Sequence, residues 1–183
     1  MSQVFHTPPY WKWDKIIPEE MLQLLDAEIE QLEFQDGKLI GEVTKGDVRN
    51  SKMVPMPPWH WLAGILYNYA VHANISANWG RTITRPEVLQ IASYREDEFY
   101  RWHSDTDFLL IGPENRKLTA ICLLSDPTEF EGGEFQIEGV EEKIDLQRGS
   151  VIVFPSPLVH QVTPVTSGER RSATVWALGP NKW

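Results

Sequence analysis

The chain carries a single cysteine, Cys122, among 183 residues, so no internal disulfide can form and nothing suggests an oxidising compartment. Cys122 lies in the apolar run Leu118–Leu124, where a buried, inert thiol is expected rather than a nucleophile. No apolar run is long enough to span a bilayer, so no membrane segment is expected. The first ten residues have neither a basic stretch nor an apolar one, and no signal peptide is expected; the reading is a soluble, cytoplasmic protein. Basic runs are missing too. With 17 Lys and Arg against 26 Asp and Glu, and a formal net charge of -9, nucleic acid is a poor partner, because phosphate binding draws on basic patches. Internal repeats, low-complexity segments and domain linkers are also absent.

What remains is an ordinary globular composition, 42% hydrophobic and 23% charged, of a length that suits one domain with one substantial core. The eight tryptophans are read as structural, with Trp11, Trp13, Trp59 and Trp61 expected to seal a helical layer. After an irregular lead-in over 1–17, Pro18 with Glu19 and Glu20 marks a helix start. Leu22, Leu25, Ile29 and Leu32 then give one apolar stripe. Asp36-Gly37 predicts a hairpin, and 46–58 reads as a Pro-punctuated loop. A second helix is expected from Trp59 to Asn78, with Trp59, Leu62, Leu66, Tyr69 and Ala73 on one face and Gly80 as terminator.

Beyond Thr82 the texture is that of short strands, near 81–84, 88–94, 102–108, 118–124, 134–138, 143–146, 150–154, 159–165 and 170–178. Two helices followed by many strands predict a mainly β fold with the helices packed on one sheet, a sandwich or barrel. We read 1–183 as a single domain, with 1–80 as helical support and 81–183 as the β core.

One face of the last strand reads Arg170, Ser172, Thr174, Trp176 and the other Arg171, Ala173, Val175, Ala177. Ala-Val-Ala suits contact with the helices, which turns Arg170 into the barrel. A buried cation persists only with something anionic beside it, and no acidic partner is evident, so a bound anion is the hypothesis. By the same parity Gln90 and Tyr94 point inward, while Leu89 and Ile91 point out.

His103 and Asp105 lie two residues apart in a stretch read as extended, which presents imidazole and carboxylate on one side. His160 is the best third partner. Two histidines and one carboxylate with the opposite face open form the facial triad of non-haem Fe(II) oxygenases. Open positions of such an ion take a 2-oxoacid. If that acid is 2-oxoglutarate, its far carboxylate needs the forked cation and hydroxyl that Arg170 and Ser172 provide, and Tyr94 could add a phenolic hydrogen bond.

Three blocks carry a family resemblance. They are Tyr94…Tyr100…His103-x-Asp105, then the strand from Leu118 with its acidic loop and Gly132-Gly133-Glu134 turn, and last Gly149–Phe154…His160…Gly168-x-Arg170…Trp176. Together, over roughly Val88 to Trp176, they resemble the 2-oxoglutarate- and Fe(II)-dependent dioxygenases of the prolyl 4-hydroxylase type, nearest the bacterial and viral prolyl/lysyl hydroxylase-like (PKHD-type) group. The resemblance implies a double-stranded β-helix, or jelly-roll, that uses Fe(II) and 2-oxoglutarate, often with L-ascorbate as helper. It implies His103, Asp105 and His160 as iron ligands, Arg170 on the cosubstrate's far carboxylate, Tyr94 beside the cosubstrate and Trp176 as the closing-strand tryptophan. The implied reaction couples 2-oxoglutarate decarboxylation to succinate with hydroxylation of a prolyl, or less often lysyl, residue in a peptide or protein. Two positions depart from the pattern. Asp97 stands where many members have Gly, and the basic residue is Arg170 where animal-type prolyl 4-hydroxylases have Lys.

Around this core, Arg170 is preferred over Arg171 on face parity, Tyr100 is read as packing, and Asp107 as a solvated strand-end carboxylate. His6, His60 and His72 have no partner spacing, and the glutamates from Glu129 to Glu142 read as a solvated loop face. Arg49-Asn50-Ser51 resembles a segment at the active-site mouth of the family and is a candidate substrate contact. A zinc hydrolase would leave the inward Arg170 and Ser172 without a role. A non-catalytic jelly-roll module predicts decay of a ligand or of the clamp, and none has decayed. Hydroxylation of a free amino acid or other small molecule stays open, because the fold does not fix the substrate.

Overall fold

The long strand at the C-terminus organises the architecture, and strands from both ends of the chain assemble around it. The computed structural model describes residues 7–36, 48–106 and 112–181. In chain order, β1 (Trp11–Trp13) and α1 (Glu19–Ile29) lead to β2 (Gln35–Asp36), β3 (Arg49–Asn50) and β4 (Lys52–Met56). Helix α2 (Trp61–Ser76) follows, then β5 (Arg85–Pro86), β6 (Leu89–Tyr94), β7 (Phe99–His103) and β8 (Glu114–Leu123). After a 3-10 turn at Pro127–Glu129 come β9 (Phe130–Gly132), β10 (Phe135–Ile137), β11 (Val151–Pro155), β12 (His160–Val162), β13 (Val165–Gly168) and β14 (Arg170–Pro180).

The larger sheet has the order β1-β11-β8-β14-β6-β4-β2, with β5 also on β14; the smaller runs β10-β12-β7-β3, and β13 pairs with β9. These strand pairings are antiparallel. Strand alternation produces two apolar layers. Ala173, Val175 and Ala177 of β14, with Leu118, Ala120 and Cys122 of β8, pack with Leu22, Leu25, Leu62 and Leu66 of the helices. Each such leucine contributes about 1.5–3 kcal/mol by leaving water. The opposite faces, with Ile121, Leu123, Phe135, Ile137, Phe154 and Val162, form the layer between the sheets. This is the jelly-roll with helices on one sheet. Cys122 is fully buried, and burial pushes its thiol up to about 12, which makes it unreactive at neutral pH. Among the described residues, no helix is long and apolar enough to cross a membrane.

Helix α1 starts after Pro18, and α2 is shorter than its apolar pattern suggests because His60 caps it, accepting the Leu62 N–H on Nδ1 at 3.2 Å. The other His60 nitrogen meets Glu28 at 3.1 Å and ties the helices together. Trp11, Trp13 and Trp61 pack on the helical layer, but Trp59 is 83% exposed and seals nothing.

Other expectations need correction. The segment read as a loop before Pro58 contains β3 and β4, and β4 joins the larger sheet beside β6. Pro55 is tolerated there because it lies past the residues paired with β2, where the strand is an edge. The lead-in contains β1, which pairs with β11. No strand forms over 81–84 or 143–146, although Ile144 and Leu146 are buried. Strand β7 ends at His103, short of Asp105. The Asp36-Gly37 turn, His6 and Asp107 lie, wholly or in part, outside the described residues.

Candidate active site

Pairing of β7 with β12 sets His103 directly across from His160, so the smaller sheet brings the two imidazoles together. Their ring centroids are 4.2 Å apart. Asp105 reaches them from a bend beyond the strand, where its backbone N–H donates to the Ser156 carbonyl at 3.1 Å and the Ser104 hydroxyl donates to the same oxygen at 3.2 Å. Nε2 of His103 then lies 3.7 Å from Asp105 Oδ1, and Nε2 of His160 lies 3.5 Å from Oδ2. One ligand atom from each residue falls within 4.8 Å of the other two, the one such grouping among the described residues.

Hydrogen bonding orients each group. Nδ1 of His103 is 2.7 Å from the Arg101 carbonyl and Nδ1 of His160 is 2.9 Å from that of Leu158. A carbonyl only accepts, so each Nδ1 carries the proton and each Nε2 presents a lone pair. The Thr119 hydroxyl donates to Asp105 Oδ2 at 2.8 Å and accepts from Ser156 Oγ at 3.0 Å. Tyr100 lies flat on His103 with centroids 3.4 Å apart, the Arg49 guanidinium covers Tyr100 at 4.7 Å, and Phe154 meets His160 edge-on at 4.7 Å.

Burial, followed by the neighbouring His160, pushes the His103 imidazole down to about 4. Burial alone would raise the Asp105 carboxyl, but His160 and His103 beside it bring it below its ordinary value. Neutral imidazole and ionised carboxylate are the forms that bind a metal. The His103 shift also makes stability depend on pH. An unfolded chain takes up a proton near 6.5 that the native ring refuses until about 4, so stability is complete above 6.5 and falls as pH drops toward 4. Between pH 7 and 4.5 the metal-free protein should lose on the order of 2 kcal/mol through this group. Urea unfolding at both pH values reads the loss, and His103→Phe should flatten that part; an unchanged slope in the variant would refute the burial account.

The larger sheet supplies the rest. The cluster opens into a cleft of about 400 Å3, counted with the part open to solvent, lined also by Gln90, Tyr94, Arg170, Ser172, Thr174 and Trp176. Arg170 is 2% exposed, donates from Nη1 to Ser172 Oγ at 3.2 Å, and has no carboxylate in ion-pair reach among the described residues. Burial pushes its guanidinium down; Tyr94, whose ring lies 5.7 Å away, opposes this weakly. Gly133 makes room for this side chain, since a Cβ there would lie 2.8 Å from Arg170 Cδ. Arg171 points the other way, half-buried, and pairs with Glu169 at 3.0 Å. Asp97 adopts φ 64, the left-handed conformation for which glycine is the usual residue. The described glutamates from Glu129 to Glu142 are exposed, whereas Arg49 is buried, with Nη2 unpartnered among the described residues and Nε donating to Ser51 at 2.7 Å.

The donor set suits a divalent ion with an open face. The sequence motifs do not single out Thr119 or Ser156. Thr119 had a signal, since strand parity puts its hydroxyl on the inner face of β8. Ser156 had none, because it acts through a tertiary contact.

Comparisons agree with this geometry. The family model of the 2OG-Fe(II) oxygenase superfamily matches residues 89–178. A PKHD-type hydroxylase of Shewanella sp. (strain ANA-3) is 38% identical over 87 residues, which is 45% of this chain and 39% of that protein. The chain therefore spans well under half the length of that relative. A PKHD-type hydroxylase of Teredinibacter turnerae is 28% identical over 175 residues, covering 89% of this chain and 75% of that one. The viral collagen prolyl hydroxylase vCPH from Paramecium Bursaria Chlorella virus-1, solved as its 2OG complex, superposes with a TM-score of 0.71 at 24% identity, covering 94% of this chain and 97% of that one; this likeness speaks for the fold. Residues 89–178 thus match a 2OG-Fe(II) oxygenase domain, and the chain is similar to PKHD-type hydroxylases and has the fold of a prolyl hydroxylase.

Proposed function

We propose that this chain is an Fe(II)- and 2-oxoglutarate-dependent dioxygenase that hydroxylates a prolyl residue, with lysyl in second place, in a peptide or protein, while 2-oxoglutarate is decarboxylated to succinate. One observation carries the reading: the His103, Asp105 and His160 cluster shares its cleft with a buried guanidinium that has no carboxylate partner among the described residues. In this reading the three side chains hold Fe(II), and Arg170 with Ser172 receives the far carboxylate of 2-oxoglutarate. The Tyr94 phenol faces the same cosubstrate from β6. Bound iron supplies dioxygen activation and the oxidising power to break a C–H bond, with ascorbate as the helper that keeps it ferrous.

The protein's own share is orientation and exclusion of water. Carbonyls of Arg101 and Leu158 lock the two rings, Thr119 fixes the carboxylate, and Tyr100 braces His103 from one face. Ile121, Phe135 and Val162 line the cleft with hydrocarbon. The likeness to a collagen prolyl hydroxylase supports a polypeptide substrate. A cytoplasmic location is part of the same proposal.

The test is anaerobic loading with Fe(II) and 2-oxoglutarate, then oxygen with a peptide panel, reading succinate and a one-oxygen mass gain. Stoichiometric succinate and a gain on Pro-containing peptides support the reading. A gain only on free amino acids would replace the substrate class, and no succinate with any substrate would favour a non-catalytic module.

A further inference from the structure

The pairing of β7 with β12 is irregular just before it reaches the two imidazoles. Tyr100 is opposite Val162 and His103 is opposite His160, so Arg101 and Trp102 occupy the stretch where β12 has the single residue Gln161. A bulge of this kind re-aims side chains, and both residues are exposed. Arg101 lies over Phe99, with Cζ 4.9 Å from that ring. Trp102 is 46% exposed and lines a groove of about 910 Å3, counted with the part open to solvent. An indole kept nearly half in water forgoes much of the burial that makes tryptophan useful in a core.

The rest of the groove is built by the segment from Glu134 to Ile144. Its apolar lining includes Val140, half-buried, and Ile144, buried. Four glutamates, Glu134, Glu138, Glu141 and Glu142, stand around it against one lining cation, Lys143. Lys143 pairs with Glu134 at 3.1 Å. The other three carboxylates are exposed, with no cation in ion-pair reach among the described residues. The groove also adjoins the metal-ligand cluster. Ile137, His160 and His103 form one row across the smaller sheet. Glu138 follows Ile137, and its N–H donates to the Val159 carbonyl at 2.8 Å, while Trp102 directly precedes His103. Both sides of the groove therefore start one residue from that row.

An acidic rim alone is a solvated face. Here a backbone bulge turns an aromatic ring into the same groove, and that combination fits a long cationic side chain, whose charge meets the carboxylates while its stem lies on the indole. The net charge of -9 adds a longer-range attraction. Resting on the polypeptide-hydroxylase reading above, we propose that this groove docks a basic segment of the substrate polypeptide, an arginine or lysine lying against Trp102 and the carboxylates of Glu138, Glu141 and Glu142. Strand β10 is two places from β7 in the smaller sheet, about 10 Å at the usual strand spacing, which an extended chain covers in about three residues. The basic residue thus stands about three residues or more from the one that is hydroxylated.

Anisotropy of fluorescein-labelled synthetic peptides, measured without oxygen on protein loaded with Mn(II) and 2-oxoglutarate, tests the groove apart from turnover. The peptides carry one central proline and, from the third residue outward on each side, either arginines or glutamines; arginine avoids adding a second hydroxylation target. The arginine peptide should bind about tenfold more tightly at low salt, and added salt should shrink the preference. Trp102→Leu should cut the preference several-fold, and so should Glu138→Gln, Glu141→Gln and Glu142→Gln combined. Because the preference compares two peptides on one protein, any general loss of fold or metal cancels from it. Equal affinity of the parent for both peptides, or an undiminished preference in either variant, would overturn the proposal. Loading with Fe(II) in place of Mn(II) and admitting oxygen separates it from the reading beneath. A one-oxygen gain on both peptides at equal kcat/KM keeps the hydroxylase and overturns the groove, whereas a gain favouring the arginine peptide through KM at similar kcat supports it. No succinate and no gain with either peptide counts against the hydroxylase reading, and the binding preference still decides the groove.

Discussion

Replacing His103 with alanine is expected to lower Fe(II) or Mn(II) affinity by at least about 100-fold and to abolish turnover while the fold persists. The expectation follows from how the site is assembled. Of the three groups with ligand atoms within 4.8 Å, two are imidazoles placed by one antiparallel pairing, so removing either leaves a carboxylate and a single ring. One carboxylate and one imidazole do not hold a divalent ion firmly against water. Folding should survive because the His103 ring lies at the rim of the layer between the sheets, with Tyr100 on one face, and is not among the apolar residues that fill it. Isothermal titration with Mn(II), with circular dichroism as the fold control, reads the result. A variant that binds metal as tightly as the parent would show that the cluster is not a metal site.

Arg170→Met should change two measurements in opposite directions. Affinity for 2-oxoglutarate in the presence of Mn(II) should fall by roughly 100-fold or more, the loss of a charge-assisted, forked contact worth about 1.5–3 kcal/mol per hydrogen bond. Stability of the ligand-free protein should rise, by on the order of 1 kcal/mol or more, because a guanidinium at 2% exposure with no carboxylate partner among the described residues carries a desolvation cost that a methionine does not. Urea unfolding and cosubstrate titration on one preparation give both signs. Arg171→Met is the control. Arg171 points to the other face, where it pairs with Glu169, and ion pairs near the surface contribute about 1 kcal/mol or less. Lower stability together with unchanged cosubstrate affinity in Arg170→Met would make the guanidinium a structural group.

The contrast between these two arginines shows how far local pattern reaches. Alternation along β14 sorts Arg170, Ser172, Thr174 and Trp176 from Ala173, Val175 and Ala177, and the structure has the second group against the helices. The same alternation on β6 sends Leu89 and Ile91 to the helical layer and Tyr94 to the inner one. Helix stripes were equally legible where packing follows periodicity, as at Leu22, Leu25 and Ile29. Reading failed where partners come from far along the chain. Strand β4 looked like loop because of its prolines, and only its place beside β6, with β2 reaching no farther than Met53, makes Pro55 acceptable. Trp59 looked like core by periodicity but precedes the cap, so it never joins the helix face.

The sequence by itself determined which residue types are available for a metal and an anion, and which side of its strand each inner residue takes. Parity and spacing are local properties of a backbone, and they survive without knowledge of what lies opposite. Only the tertiary structure decided that Asp105 joins the two histidines from a bend after β7, held by Ser156 and Thr119. Those contacts depend on strand pairings between distant segments, and a pairing energy shared among many residues leaves no mark at any one of them.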